Sequence, residues 1–122
     1  MDNTPPSRSK KSGRLLRFTG EAIFRNHRRS AQRFEESAFT AFVNVPEDNA
    51  WRFAAVASKV RIGGAVERNR AKRRLRAAFV AAQKMTKHPL AVILYAKEPA
   101  LTADIEKLTA TLMKIFNEVA AH

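Results

Sequence analysis

The stretch Ala65–Lys84, AVERNRAKRRLRAAFVAAQK, decides how this chain folds. Ala71, Leu75, Ala78, Phe79 and Ala82 recur in it at spacings of four, three, one and three. At 100° per residue they share a band roughly 100° wide, which is the buried face of one helix. Asn69, Arg70, Lys72, Arg73 and Arg76 lie away from that band, and Arg68 and Arg74 flank it. Between Lys59 and Arg76 there are eight cations and one carboxylate, Glu67. A helix that buries one side and presents uncompensated cations on the other is a folded surface for a polyanion, phosphate foremost. Guanidinium groups suit that task because they offer planar, bidentate donors and stay charged. The competing readings are a merely solvated face and a membrane-surface helix. The first leaves the self-repulsion unexplained, and the second is disfavoured by an apolar side rich in alanine and without tryptophan.

Outward from this helix, the pattern gives one small domain. Gly63-Gly64 breaks the chain before it, allowing close backbone approach to a ligand, and the N–H groups at the helix start can bind phosphate. His88-Pro89 closes it. Residues 90–96, LAVILYA, form a continuous apolar run of the kind found in a buried strand. Pro99 ends that run, and Thr102 is expected to cap a last helix carrying Ile105, Leu108, Leu112, Ile115, Phe116 and Val119 as a second apolar stripe. On the N-terminal side, Thr19 is expected to cap a helix over residues 20–29, followed by a short strand at 31–34. Residues 38–45 suit a strand, Pro46-Glu47-Asp48-Asn49 is a turn signal, and residues 51–57 read as the returning strand of a hairpin. The order α-β-β-β-α-β-α makes a single-domain α+β fold, one sheet packed by helices, over residues 15–122. Residues 1–14, with two prolines, serines and four cations, read as a disordered basic arm.

Composition supports the same partner. The 122 residues carry a net charge of +12 and are 45% apolar, enough for a modest core. Residues 1–88 hold 20 Lys/Arg against 7 Asp/Glu, while residues 89–122 hold 3 against 4. Solubility alone would not need this asymmetry, so the basic part is read as the working surface. The chain has no cysteine, which excludes disulfides and thiolate metal sites and fits a reducing cytoplasm. No apolar run approaches the roughly 20 residues of a bilayer span, and the cationic N-terminus lacks the apolar core of a secretion signal. The expectation is a cytoplasmic protein without a membrane partner.

The run Ser58-Lys59-Val60-Arg61-Ile62-Gly63-Gly64-Ala65-Val66-Glu67-Arg68-Asn69-Arg70-Ala71-Lys72-Arg73-Arg74-Leu75-Arg76 resembles the signature of the bacterial ribonuclease P protein subunit. That family carries an A-x-x-R-N-R-x-K-R-x-x-R helix, matched here by Ala65, Arg68, Asn69, Arg70, Lys72, Arg73 and Arg76. The element order agrees from about Leu15 to the C-terminus. The resemblance implies a mixed sheet of the ribosomal protein S5 domain 2-like type, with a left-handed βαβ crossover from the 51–57 strand to the 90–96 strand. It also implies an accessory subunit of an endoribonuclease, pairing one protein with one catalytic RNA that cuts the 5′ leader from precursor tRNA. Lys59, Arg61, Arg68, Asn69, Arg70, Lys72, Arg73 and Arg76 would then contact the catalytic RNA. Val60 stands where many relatives have a second lysine, and Gly63 and Gly64 stand where they have polar or basic residues. A separate cleft between sheet and first helix would hold the leader, with Phe24 as the aromatic residue that the family's first helix offers.

Unpaired nucleotides bind by stacking on aromatic rings beside a cationic track. Phe24, Phe34, Phe39, Phe42 and Phe53 lie in or near the sheet elements, with Arg33 and Arg52 close by, and Phe24, Arg33, Phe42 and Arg52 are the expected leader contacts. Strand alternation sends Phe39 and Phe42 to opposite faces, without saying which faces the cleft. No protein catalytic site is legible. His27, His88 and His122 lack partners at ligand spacing, and the pairs Glu35-Glu36 and Glu47-Asp48 read as solvated turns more readily than as a Mg²⁺ site. Mg²⁺ is expected to be held mainly by the RNA, with the protein supplying electrostatics and positioning. Two other classes stay open: a structural RNA-binding protein of ribosomal or chaperone type, and a protein-only nuclease, which would need a carboxylate cluster.

Overall fold

The computed structural model describes residues 15–16 and 30–120; the arm at 1–14 and the expected helix at 20–29, with Phe24, lie outside the described residues. The strands are β1 (Leu15–Leu16), β2 (Gln32–Glu35), β3 (Phe39–Asn44), β4 (Trp51–Val56) and β5 (Ala91–Ala96). The helices are α1 (Lys59–Ile62), α2 (Ala65–Lys84) and α3 (Ile105–Ala120), with a 3₁₀ turn at Glu98–Leu101 before α3. The sheet runs β1-β4-β5-β3-β2. It is mixed: β5 pairs parallel with β4 and antiparallel with β3. This is the expected α+β domain, and β4, α2 and β5 form a βαβ unit with adjacent parallel strands.

The expected hairpin does not form. β3 and β4 do not pair as a hairpin; β5 lies between them. Ala91, Val92, Ile93, Leu94 and Ala96 are all buried, and a strand buried on both faces gains most at the centre of a sheet. Pairing β3 directly with β4 would have left that run at an edge. The six residues 45–50 instead step across two strand spacings, about 10 Å. Asn49, at φ 58°, takes the left-handed turn that asparagine tolerates.

Two shorter elements also differ from the sequence reading. Residues 59–62 form a helical turn, because the Ser58 hydroxyl accepts from the Arg61 N–H at 3.1 Å and caps it. Gly63 ends that turn at φ 118°, a conformation that side chains disfavour. Thr102 does not start α3: it closes the 3₁₀ turn, and α3 begins at Ile105 with the Leu108 N–H bonded to the Asp104 carbonyl.

Helices α2 and α3 cover one sheet face. Phe39, Ala41 and Val43 of β3, Trp51 and Phe53 of β4, and Val92 and Leu94 of β5 meet Leu75, Phe79, Leu112 and Phe116 there. Phe79 is the hub: it stacks on Phe53 at 4.2 Å and 18°, and meets Trp51 and Phe116 edge-on at 5.6 and 6.1 Å. Ala71, Ala78 and Ala82 are fully buried beside it, and their small side chains bring the α2 backbone close to its neighbours. Among the described residues no helix is long and apolar enough to cross a membrane. Phe79→Ala removes the ring that three elements share, and should lower unfolding free energy by about 3–5 kcal/mol in denaturant titration. Phe79→Leu should lose clearly less.

Candidate nucleic-acid interface

Burial of α2 places its charges as the wheel requires. Asn69, Arg70, Lys72, Arg73 and Arg76 are exposed, and Ala71, Leu75, Ala78, Phe79 and Ala82 are inside. The two flanking arginines are half-buried and tied to the protein's own backbone. Arg68 donates to the Gly63 carbonyl at 3.0 Å, which braces the α1–α2 turn. Arg74 donates through Nε to the Ala100 carbonyl at 2.8 Å and through Nη2 to the Ala103 carbonyl. A cation therefore staples α2 to the turn that launches α3. On α1, Lys59 and Val60 are exposed, so Val60 adds apolar surface where a cation was expected from relatives.

A niche of about 360 Å³ opens where α2 meets the edge of β4, lined by Phe53, Ala54, Ala55, Asn69, Lys72, Arg73 and Arg76. The Arg76 guanidinium sits 5.9 Å from the Phe53 ring centre, within cation–π range. No carboxylate lines this niche.

A second groove, of about 280 Å³, lies on the sheet face away from α2 and α3. It is lined by Arg33, Thr40, Phe42, Val56, Ser58, Arg61, Tyr95 and Ala96. Phe42 and Tyr95 meet edge-to-face at 5.6 Å and 80° on neighbouring strands. Phe42 rather than Phe39 faces this groove, Phe39 being fully buried in the core. Phe34 and Phe53 also belong to the core side. At the rim, Glu35 accepts from Thr40 at 3.0 Å and pairs with Arg33 at 2.7 Å and Lys97 at 2.5 Å. The Lys97 bond, then that of Thr40, holds the Glu35 carboxyl below its ordinary range.

The structure thus places Arg33 and Phe42 in one groove together with Arg61, which the sequence had grouped with the α2 cations. Tyr95 was missed because its strand reads as uniformly buried; the phenol inside an apolar run was the available signal, since such a group needs a polar outlet. Arg52 lies on the same face but at the opposite end of β4 from Val56. Its guanidinium is clasped by both Asp48 oxygens at 2.8 and 2.7 Å, so its charge is already answered within the chain. Among the described residues, no group of three His, Cys, Asp or Glu side chains is placed to hold a metal ion.

A family model described as Ribonuclease P matches residues 13–120. The chain belongs to the ribonuclease P protein family. Solved structures of family proteins share its fold. The ribonuclease P protein of Staphylococcus aureus superimposes with a TM-score of 0.66 at 22% identity, covering 85% of this chain and 94% of that one. The Thermotoga maritima protein gives 0.65 at 14% identity, covering 78% and 89%. No curated protein matched the chain in sequence comparison. Membership implies an accessory subunit of an endoribonuclease that works with ribonuclease P RNA in tRNA processing.

Two outcomes follow from the site geometry. Arg74→Ala should cost about 2–3 kcal/mol of stability, since charged donors to two carbonyls are lost, whereas Arg73→Ala should change it by less than about 0.5; denaturant titration of both variants checks this. Asp48, held from its ordinary 3.8 to about 2 chiefly by the Arg52 hydrogen bonds, should keep its charge until the pH falls to about 2. The Asp48–Arg52 clasp is therefore intact above about pH 4 and is lost as the pH drops through about 2. Carboxyl NMR titration should show this midpoint, and Arg52→Ala should return it toward 3.8.

Proposed function

We propose that this chain binds the catalytic RNA of ribonuclease P through α2 and the 5′ leader of precursor tRNA through the groove on the sheet face away from α2 and α3. The observation that carries this reading is the presence of two separate surfaces of different chemistry on one small domain. The α2 surface is cationic, exposed and without carboxylates along Asn69, Arg70, Lys72, Arg73 and Arg76, as suits a folded RNA backbone. The sheet groove combines the Phe42 and Tyr95 rings with Arg33 and Arg61, as suits an unpaired strand.

Each part of the chain's role is electrostatic or positional. Cations on α2 offset phosphate repulsion between two RNAs brought together, and rings in the groove hold leader bases in register with the cut. Bond breaking is assigned to the RNA, with Mg²⁺ held there to activate water. The complex is one RNA and one protein, acting in the cytoplasm to give the mature tRNA 5′ end.

Reconstitution with the cognate catalytic RNA tests the reading. The protein should accelerate leader removal at low Mg²⁺ and should cut nothing alone; equal cleavage with and without it would sink the proposal. Replacing Arg70, Lys72 and Arg73 with alanine should weaken RNA binding and flatten the slope of log K against log salt by about 2–3. Tyr95→Ala should instead raise KM for substrates with a long leader and leave leaderless tRNA binding unaltered. Co-purification with ribosomal RNA in place of a discrete catalytic RNA would favour a structural RNA-binding role.

A further inference from the structure

Two arginines on the groove side of the sheet each meet a carboxylate, and the two pairings differ in kind. Arg52 gives both of its Nη atoms to the two Asp48 oxygens, at 2.8 and 2.7 Å, which is a bidentate clasp. Arg33 reaches Glu35 through Nη2 to one oxygen, Oε1, at 2.7 Å. The other Glu35 oxygen, Oε2, accepts from the Thr40 hydroxyl at 3.0 Å and meets Lys97 Nζ at 2.5 Å. Thr40 is buried, and Lys97 is anchored a second time by donating to the Glu36 carbonyl at 2.6 Å. The Lys97 side chain is 21% exposed, that of Arg33 63%. Of the influences that hold the Glu35 carboxyl below its ordinary range, the Lys97 bond is the largest, that of Thr40 follows, and the charge of Arg33 is the smallest. Glu35 thus has one oxygen fixed to the sheet and one that holds an exposed, exchangeable arm.

The arm belongs to the groove. Arg33 stands opposite Phe42 on the neighbouring strand and lines the groove with it, while Glu35 stands opposite Thr40 one step along. Side chains so paired have Cβ atoms about 5 Å apart, so a rotamer change carries the guanidinium between Glu35 and the ring without moving the backbone. An exposed ion pair favours its paired state by only about 5-fold or less. A phosphate offers the guanidinium two oxygens at once and a stronger, charge-assisted contact. When Arg33 departs, the carboxylate is not orphaned, because Thr40 and Lys97 still hold Oε2. That keeps the cost of the exchange low.

We infer that Glu35 is a positioning residue for leader binding: it holds the Arg33 guanidinium at the rim of the groove until a leader phosphate takes it over, and reclaims it when the cut leader departs. Leader capture is then an exchange of carboxylate for phosphate, not the filling of a free cationic site. The exchange lowers affinity for every single strand. It favours a strand that stacks a base on Phe42 and so sets a phosphate beside Arg33, since a passing polyanion must displace Glu35 without that help. Arg52, clasped at both oxygens by Asp48, is outside this exchange. The inference rests on the leader-binding reading of the groove given above.

Binding of precursor tRNA with a long leader, and of leaderless tRNA, to the holoenzyme reconstituted with the cognate catalytic RNA tests it. Glu35→Gln keeps the length of the side chain and an acceptor for Thr40 but removes the charge. It should tighten binding of the long-leader RNA by about 2- to 5-fold, slow its dissociation to match, and leave leaderless tRNA binding and the cleavage rate at saturation unaltered. Unchanged or weaker leader binding overturns the inference, because a carboxylate that only braces Arg33 or the sheet gives a loss when removed, never a gain. In the Arg33→Ala background, Glu35→Gln should gain nothing, since the arm it releases is absent. Glu36→Gln removes the same charge from the next residue and should also gain nothing. An equal gain in either case would show a general effect of charge and overturns the exchange. Equal affinity of the wild-type holoenzyme for long-leader and leaderless RNA would instead remove the leader-binding reading itself.

Discussion

The packing of Phe79 against Phe53, Trp51 and Phe116 is the contact on which the rest of the structure depends. One ring joins the edge-side strand of the sheet, the basic helix and the C-terminal helix. It fixes the rotation of α2 about its own axis, and that rotation decides where every cation on the helix points. Stacking at 4.2 Å against Phe53 sets the exposed strip from Asn69 to Arg76 beside β4. A helix with so many like charges resists burial, and only a dense apolar hub on its other side offsets that repulsion.

The charge of α2 is divided between two uses. Arg68 and Arg74, at the borders of the apolar stripe, are turned inward to carbonyls that would otherwise lack donors at the helix junctions. The fully exposed set stays available to a polyanion. Two side chains within one sequence motif thus serve the fold while their neighbours serve the surface, and burial is what separates them. Arg52 is divided off in another way: both Asp48 oxygens clasp it at the far end of β4, whereas Arg33, itself paired with Glu35, and Arg61 line a groove with two aromatic rings.

Much of this was legible in the sequence. The wheel of residues 65–84 placed each buried alanine and each exposed cation of α2 correctly, because a single helix packed on one side obeys its own periodicity. The apolar run at 91–96 was legible as a buried strand for the same reason. The hairpin between β3 and β4 was misread because a turn signal reports only that the chain bends, not which strand receives it. The nearness of Arg61 to the groove was not legible, because the Ser58 cap winds residues 59–62 into a turn that brings its side chain to the Phe42–Tyr95 groove.

Sequence alone determined the class of fold, the two faces of α2 and the polyanionic character of its partner, since charge and periodicity are properties of consecutive residues. Tertiary structure decided which groups meet: Tyr95 with Phe42 and Arg61, and Phe53 and Ala55 with Asn69 and Arg76. The reason is competition for the centre of the sheet. The most apolar strand takes that place, parts β3 from β4, and so brings together residues that no local pattern connects.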